Sequence, residues 1–121
     1  MKNVVIIEDD PAMAMINKRL IERLGYQVIN SSLHSDEALL FLKSNNVDLI
    51  LLDIMLDEDR DGIEVANLIR TNSNTPIIFI SSKKEAEIEH QISQIQHIQL
   101  LCKPLDYNEL QIAIGRVFVE M

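Results

Sequence analysis

Four short stretches of this chain end in side chains that can do chemistry together. Residues 3–8 run Asn-Val-Val-Ile-Ile-Glu into the acid triplet Glu8-Asp9-Asp10. Val47–Asp53 reads Val-Asp-Leu-Ile-Leu-Leu-Asp, four large aliphatics cut off by a carboxylate. Ile77–Ile80 stops at Ser81-Ser82, and Ile98–Cys102 gives way to Lys103-Pro104. Carboxylates held near 4 Å repel by about 4 kcal/mol per pair at an effective dielectric near 20. A divalent cation offsets that repulsion, and oxygen-only ligands suit magnesium, with manganese able to serve in the same place. Lys103 can neutralise a carboxylate when such a site is empty and pair with a phosphoryl group when it is full. Ser81 can donate a hydrogen bond to a phosphoryl oxygen. Asp53 is then a candidate nucleophile that forms an aspartyl phosphate.

These groups meet only if the stretches they end are parallel strands of one sheet. Leu49 to Leu52 is short, unbroken and flanked by helical patterns, as in a central parallel strand buried on both faces. An unpaired charge is costly inside such a strand. Asp53 is therefore expected at the carboxyl end, the edge where open α/β sheets bind ligands. Pro11 suits the first turn of a helix. Met13, Ile16, Leu20 and Leu24 recur at helical spacing, with Met13 and Met15 fitting helix packing, until Gly25 stops the helix. Tyr26 to Asn30 can form a second strand, and Ser35 can cap a helix carrying Ala38, Leu39 and Leu42. Ile63, Val65, Ala66, Leu68 and Ile69 mark a third helix. Lys83–Ile95 puts Ile88, Ile92 and Ile95 on one stripe of a charged surface helix. Asp106 and Glu109 have capping-box spacing before a last helix with Leu110, Ala113 and Ile114. Strand and helix thus alternate five times, which predicts an α/β fold with helices on both faces of a parallel sheet.

The bulk composition narrows the partners. The chain has 121 residues, 47% apolar and 25% charged, enough for one domain over residues 1–121 with a real core. No run approaches a membrane span, no signal peptide is expected, and nothing after the last helix suggests a second domain. The lone Cys102 excludes an internal disulfide and suits a reducing cytoplasm. A net charge of −8 argues against direct contact with nucleic acid or an anionic membrane and suits a cation or a basic protein partner.

Taken together, the residues resemble the receiver domain of two-component response regulators over essentially the whole chain. The matching residues are Glu8-Asp9-Asp10-Pro11, Leu52-Asp53-Ile54-Met55-Leu56, Asp61-Gly62, Ser81 and Lys103-Pro104. The resemblance implies a flavodoxin-like, doubly wound (βα)5 fold with sheet order 2-1-3-4-5. It implies phosphoryl transfer from the phosphohistidine of a histidine kinase, or of a histidine phosphotransfer protein, onto Asp53. It places magnesium on Asp9, Asp53 and the backbone carbonyl of Met55, with Glu8 assisting through water. Ser81 and Lys103 would contact the phosphoryl group, and the bond to Pro104 would be cis. Such a domain is no enzyme beyond its own phosphorylation and dephosphorylation, and it switches binding of a downstream protein. A homodimer is compatible with the sequence.

The chain departs from the family pattern at several points. Glu8 replaces a commoner Asp, and Ser81 stands where Thr is also common. The Asp53–Gly62 loop is one residue longer than usual and carries Asp57 in place of a proline. Leu100 stands where an aromatic switch residue is usual, which bears on the switch and not on the phosphorylation chemistry. Met55 and Lys83 flank the line along which water would attack a phosphorylated Asp53. Met55 cannot orient water, so slow hydrolysis is expected.

Other readings of the chain fit less well. A pseudo-receiver that binds protein without taking phosphate would be expected to lack one of Asp9, Asp53, Ser81 or Lys103, and all are present. A haloacid-dehalogenase-type phosphatase needs a second Asp two residues after the nucleophile, where this chain has Met55. Nucleotide binding would call for a glycine-rich loop, and the three glycines are isolated. His34, His90 and His97 lack metal-ligand spacing and read as surface or filler, and Cys102 reads as packing.

Overall fold

A computed structural model of the chain describes residues 1–56, 61–82 and 85–119. Five strands and five helices alternate: β1 (Asn3–Ile7), α1 (Pro11–Arg23), β2 (Gln27–Ser32), α2 (Ser35–Ser44), β3 (Leu49–Asp53), α3 (Gly62–Arg70), β4 (Ile77–Ser81), α4 (Ala86–Ser93), β5 (Ile98–Cys102) and α5 (Tyr107–Val119). The strands form one parallel sheet of order β2-β1-β3-β4-β5, the flavodoxin-like arrangement expected from the sequence.

Side-chain alternation along the strands divides the core into two layers. Val5, Ile7, Ile50, Leu52, Ile77 and Phe79 pack with Ala38 of α2, Val65, Ala66 and Ile69 of α3, and Ile92 of α4. Val4, Ile6, Leu49, Leu51, Ile78 and Ile80 face the other way, toward Ile21 of α1 and Leu110, Ala113 and Ile114 of α5. Every residue of β3 and β4 is buried, which explains why these strands read as unbroken apolar runs. Each fully buried Leu, Ile or Phe contributes roughly 1.5–3 kcal/mol. The sheet's position is therefore set mainly by these central strands.

Local chemistry fixes where helices start and stop. Asp10 caps α1 by accepting from the Ala12 and Met13 N–H groups, and Pro11 fills the next position. Gly25, at φ +94°, takes the left-handed conformation that ends α1. Asp61 caps α3 through the Glu64 N–H at 2.9 Å, and Asp106 takes the Glu109 N–H at 3.0 Å. The capping residue of α2 is His34, not Ser35, which is the buried first residue of the helix. β2 runs on to Ser32, past the expected Asn30, because an edge strand can stay polar and still form a ladder with β1. The buried face of α1 is Ala14, Asn17 and Ile21, and Met15 and Ile16 are exposed, so the helix is rotated from the apolar stripe read in the sequence. A small Ala14 lets the helix lie close to the sheet, and Asn17 hides the true stripe by scoring as polar.

Among the described residues, no helix is long and apolar enough to cross a membrane.

Candidate functional site

The carboxyl ends of β1, β3, β4 and β5 bring Glu8, Asp9, Asp53, Ser81 and Lys103 to one rim of the sheet. Glu8 follows β1 directly, and its N–H bonds the Ser32 carbonyl at 3.1 Å, so its backbone continues the β1–β2 ladder. Asp53 and Ser81 are the last residues of their strands, and Lys103 follows β5 with its N–H on the Ser81 carbonyl at 2.7 Å. The Lys103–Pro104 bond is cis.

Asp53 sits deeper than a carboxylate at an open edge would. It is 2% exposed, and both of its oxygens are engaged. Oδ1 accepts the Met55 N–H at 3.0 Å, and Oδ2 accepts the Lys103 ammonium at 2.8 Å. The same ammonium lies 3.3 Å from Oε1 of Glu8, which is itself 1% exposed. That contact is an ion pair without hydrogen-bond geometry, so Glu8 Oε1 remains a buried oxygen lacking a hydrogen-bond partner. Oε2 of Glu8 accepts the Asp10 N–H at 3.3 Å. Burial, reinforced by the negative charge of neighbouring Asp53, pushes the Glu8 carboxyl up to about 8. Burial alone would pull Lys103 down. Its hydrogen bond to Asp53, together with the charges of Asp53 and Glu8, holds the ammonium above its ordinary value.

Glu8, Asp9 and Asp53 each offer an oxygen, and these atoms lie within 4.8 Å of one another. Oxygen-only donors at that spacing, the surplus negative charge and the unsatisfied Glu8 oxygen fit a hard divalent cation. The lysine side chain is 23% exposed, so its ammonium can be reached by an incoming group.

Other residues take structural places around the rim. Asp10, though part of the acid triplet, is committed to the α1 cap. An Asp directly before a Pro at a helix start is a sequence signal for that role. Ser82 is exposed, Cys102 is half-buried opposite Ser81 in the β4–β5 register, and Leu100 packs into the layer of α2, α3 and α4. Met55 presents a side chain that is 64% exposed beside Asp53. Asp57 of the lengthened loop and Lys83 lie outside the described residues.

Gly62 matters more than its place in a motif suggested. Its N–H bonds the Ile54 carbonyl at 2.7 Å, and a Cβ there would lie 2.2 Å from the Asp53 carbonyl oxygen and 2.7 Å from Ile54 Cα. Only glycine lets α3 begin against the backbone that carries the aspartate.

Known proteins are similar to this chain in sequence and in fold. The family model described as "Response regulator receiver domain" matches residues 4–115. MalR of Bacillus subtilis, a transcriptional regulatory protein, is 31% identical over 117 residues, covering 95% of this chain and 49% of the relative. YvrH of the same organism is 36% identical over 81 residues, 67% of this chain and 34% of the relative. The chain thus spans a third to a half of the length of these curated relatives. The receiver domain of the Francisella response regulator 1452 superposes with a TM-score of 0.84 at 29% identity, covering 99% of this chain and 98% of that one. TrrA of Thermotoga maritima, solved in complex with Mg(2+)-BeF, shares the fold at a TM-score of 0.85 and 24% identity, covering 97% and 99% of the two chains. The matched sequence, the sheet order and the acid-lysine rim lead to one conclusion: the chain belongs to the response regulator receiver domain family.

Proposed function

We propose that this receiver domain takes a phosphoryl group onto Asp53 in a magnesium-dependent reaction and passes the signal on through changed protein binding. The observation that carries the reading is the three-way junction of Asp53, Lys103 and Glu8, with Asp9 and Ser81 on the same rim. The junction sets a buried carboxylate 2.8 Å from a partly exposed ammonium, a pairing that suits a nucleophile for a highly charged substrate.

Each residue has a part in that reaction. Asp53 supplies the oxygen that bonds to phosphorus as the bond from phosphorus to the donor histidine nitrogen breaks. The Met55 N–H on Oδ1 orients the carboxylate, leaving Oδ2 as the oxygen that exchanges its lysine for the phosphoryl group. Lys103 moves its ammonium from Oδ2 to a phosphoryl oxygen, so the ion pair of the resting state becomes the charge stabilisation of the product. Ser81 donates its hydroxyl to a second phosphoryl oxygen. Glu8, Asp9, Asp53 and the Met55 carbonyl would hold the cation, which when bound supplies positive charge to the phosphoryl oxygens in the transition state. Manganese would substitute for magnesium.

The phosphodonor is a histidine kinase or a histidine phosphotransfer protein, and the output is binding of a downstream protein in the cytoplasm. Reading the rim as a phosphoacceptor is tested with phosphoramidate, a small donor with a phosphorus–nitrogen bond. The expected product is a phosphoprotein whose label hydroxylamine removes, as it does from acyl phosphates. A hydroxylamine-stable label would place the phosphate on some other side chain.

A further inference from the structure

The end of the sheet opposite the rim carries an arrangement that the phosphoacceptor chemistry leaves unexplained. Arg70, the last residue of α3, spreads its guanidinium over three backbone carbonyls. Nε donates to Gln96 O at 2.9 Å, Nη1 to Ser73 O at 3.1 Å and Nη2 to His97 O at 3.1 Å. Gln96 and His97 form the turn that launches β5, and His97 takes a left-handed backbone at φ 59°. The His97 carbonyl also accepts the Ile77 N–H at 3.0 Å, the contact that starts the β4–β5 pairing. One side chain therefore ties α3 to the point where β5 enters the sheet.

β5 needs such a tie. It is an edge strand with β4 as its one ladder neighbour, and all five of its residues are only half-buried. A strand of that kind has a weakly specified register. A slip of two residues would move Lys103 by about 7 Å, out of reach of Asp53. At its other end α3 begins at Gly62, pressed against the Asp53 carbonyl. The helix thus touches the nucleophile's backbone at one end and grips the base of the lysine's strand at the other.

We propose that Arg70 is a positioning residue for phosphoryl transfer: it fixes β5 from the far end of α3 and so sets the reach of Lys103 to Asp53. This inference rests on the phosphoacceptor reading above. Glu8, Asp9 and Asp53 follow or end β1 and β3, which Arg70 does not touch, so cation binding is independent of it.

A double-mutant cycle tests the proposal. Wild type, Arg70→Ala, Lys103→Ala and the double variant are compared for magnesium affinity by calorimetry and for the initial rate of phosphorylation by acetyl phosphate. Arg70→Ala slows phosphorylation about tenfold or more, while its magnesium affinity stays within about twofold of wild type. In the Lys103→Ala background the further loss from Arg70→Ala is under about twofold, because the two act through one group. Arg70→Lys does not restore the rate, since one ammonium cannot span three carbonyls; it also stands in for Arg70→Ala if that variant does not fold. Independent, multiplying losses in the double variant would overturn the proposal. So would a magnesium affinity that falls in step with the rate, or a wild-type rate in Arg70→Ala. Hydrogen exchange gives a readout free of phosphorylation: in Arg70→Lys the amides of Gln99 to Cys102 exchange faster while those of β1 and β3 do not. Uniform exchange would sink the proposal even if the phosphoacceptor reading stands. A wild type that takes no phosphate would sink that reading while leaving the exchange test of β5 in force.

Discussion

The Lys103 ammonium rests 2.8 Å from Oδ2 of Asp53, closing an ion pair between residues fifty positions apart. The carboxylate is buried and the ammonium partly so, and the hydrogen bond to Asp53 and its charge do most to hold the ammonium above its ordinary value. Glu8, 3.3 Å from the same ammonium, competes for it and loses, which leaves Glu8 as the group with the least compensated charge. The site is therefore charge-balanced for one acid and has a surplus from the second.

That surplus predicts an unusual pH dependence. Glu8 has an ordinary value of 4.5 and is raised to about 8 when folded without metal, so folding is least opposed while it is protonated in both states. Stability is fully present below 4.5 and is lost as pH climbs through about 8, because the unfolded chain ionises freely and the folded chain cannot. Asp53, Asp9 and Lys103 face the same carboxyl, and magnesium supplies the charge it lacks. Urea titrations in chelator should show metal-free wild type losing on the order of a few kcal/mol between pH 5 and 8.5 relative to Glu8→Gln. Added magnesium should shrink that difference. Parallel pH curves for the two proteins would contradict the reading of Glu8.

Gly62 predicts a backbone effect on the site. In Gly62→Ala the new methyl meets backbone atoms at 2.2 and 2.7 Å, and neither can turn aside as a side chain would. The strand end or the start of α3 must shift, at a cost of about 1–3 kcal/mol. Denaturant midpoints should fall and magnesium affinity should weaken together. Retained affinity in a destabilised variant would show that the shift is taken up by α3 alone.

Met55 predicts the lifetime of the phosphorylated state. Its exposed side chain lies beside Asp53 and has no group to orient a water molecule. Met55→Asn should speed loss of phosphate several-fold, followed by intact mass after the donor is removed. An unchanged decay rate would remove Met55 from the account of hydrolysis.

Asn17 predicts a gain in stability away from the site. It is 1% exposed on the sheet-facing side of α1, and neither its Oδ1 nor its Nδ2 has a hydrogen-bond partner. Asn17→Leu, which keeps the branched shape of the side chain without its polar atoms, should stabilise the fold by about 1–2 kcal/mol. A loss of stability in thermal melts would mean that the amide is satisfied by a buried water.

The rim was legible because apolar runs and polar chemistry meet there without transition. Ile7 to Glu8, Leu52 to Asp53 and Ile80 to Ser81 each switch from buried aliphatic to functional group in one step, and strand ends follow from that. Contacts made by backbone atoms were harder to read. Gly62 could be matched to a motif, but its contact with the Asp53 carbonyl depends on how α3 returns to the sheet. Arg70 looked like any basic residue at a helix end, since its partners are carbonyls 3, 26 and 27 positions away that carry no side-chain signature. The rotated face of α1 was hidden for a related reason, as a buried Asn17 breaks the apolar periodicity that marks a core.

Phosphorylation of Asp53 is tested by intact mass after incubation with acetyl phosphate, with and without magnesium, on wild type and Asp53→Asn. Wild type should gain one phosphate, dependent on magnesium and absent from Asp53→Asn. Phosphate that persists in the variant, or that forms equally in chelator, would contradict the proposed reaction.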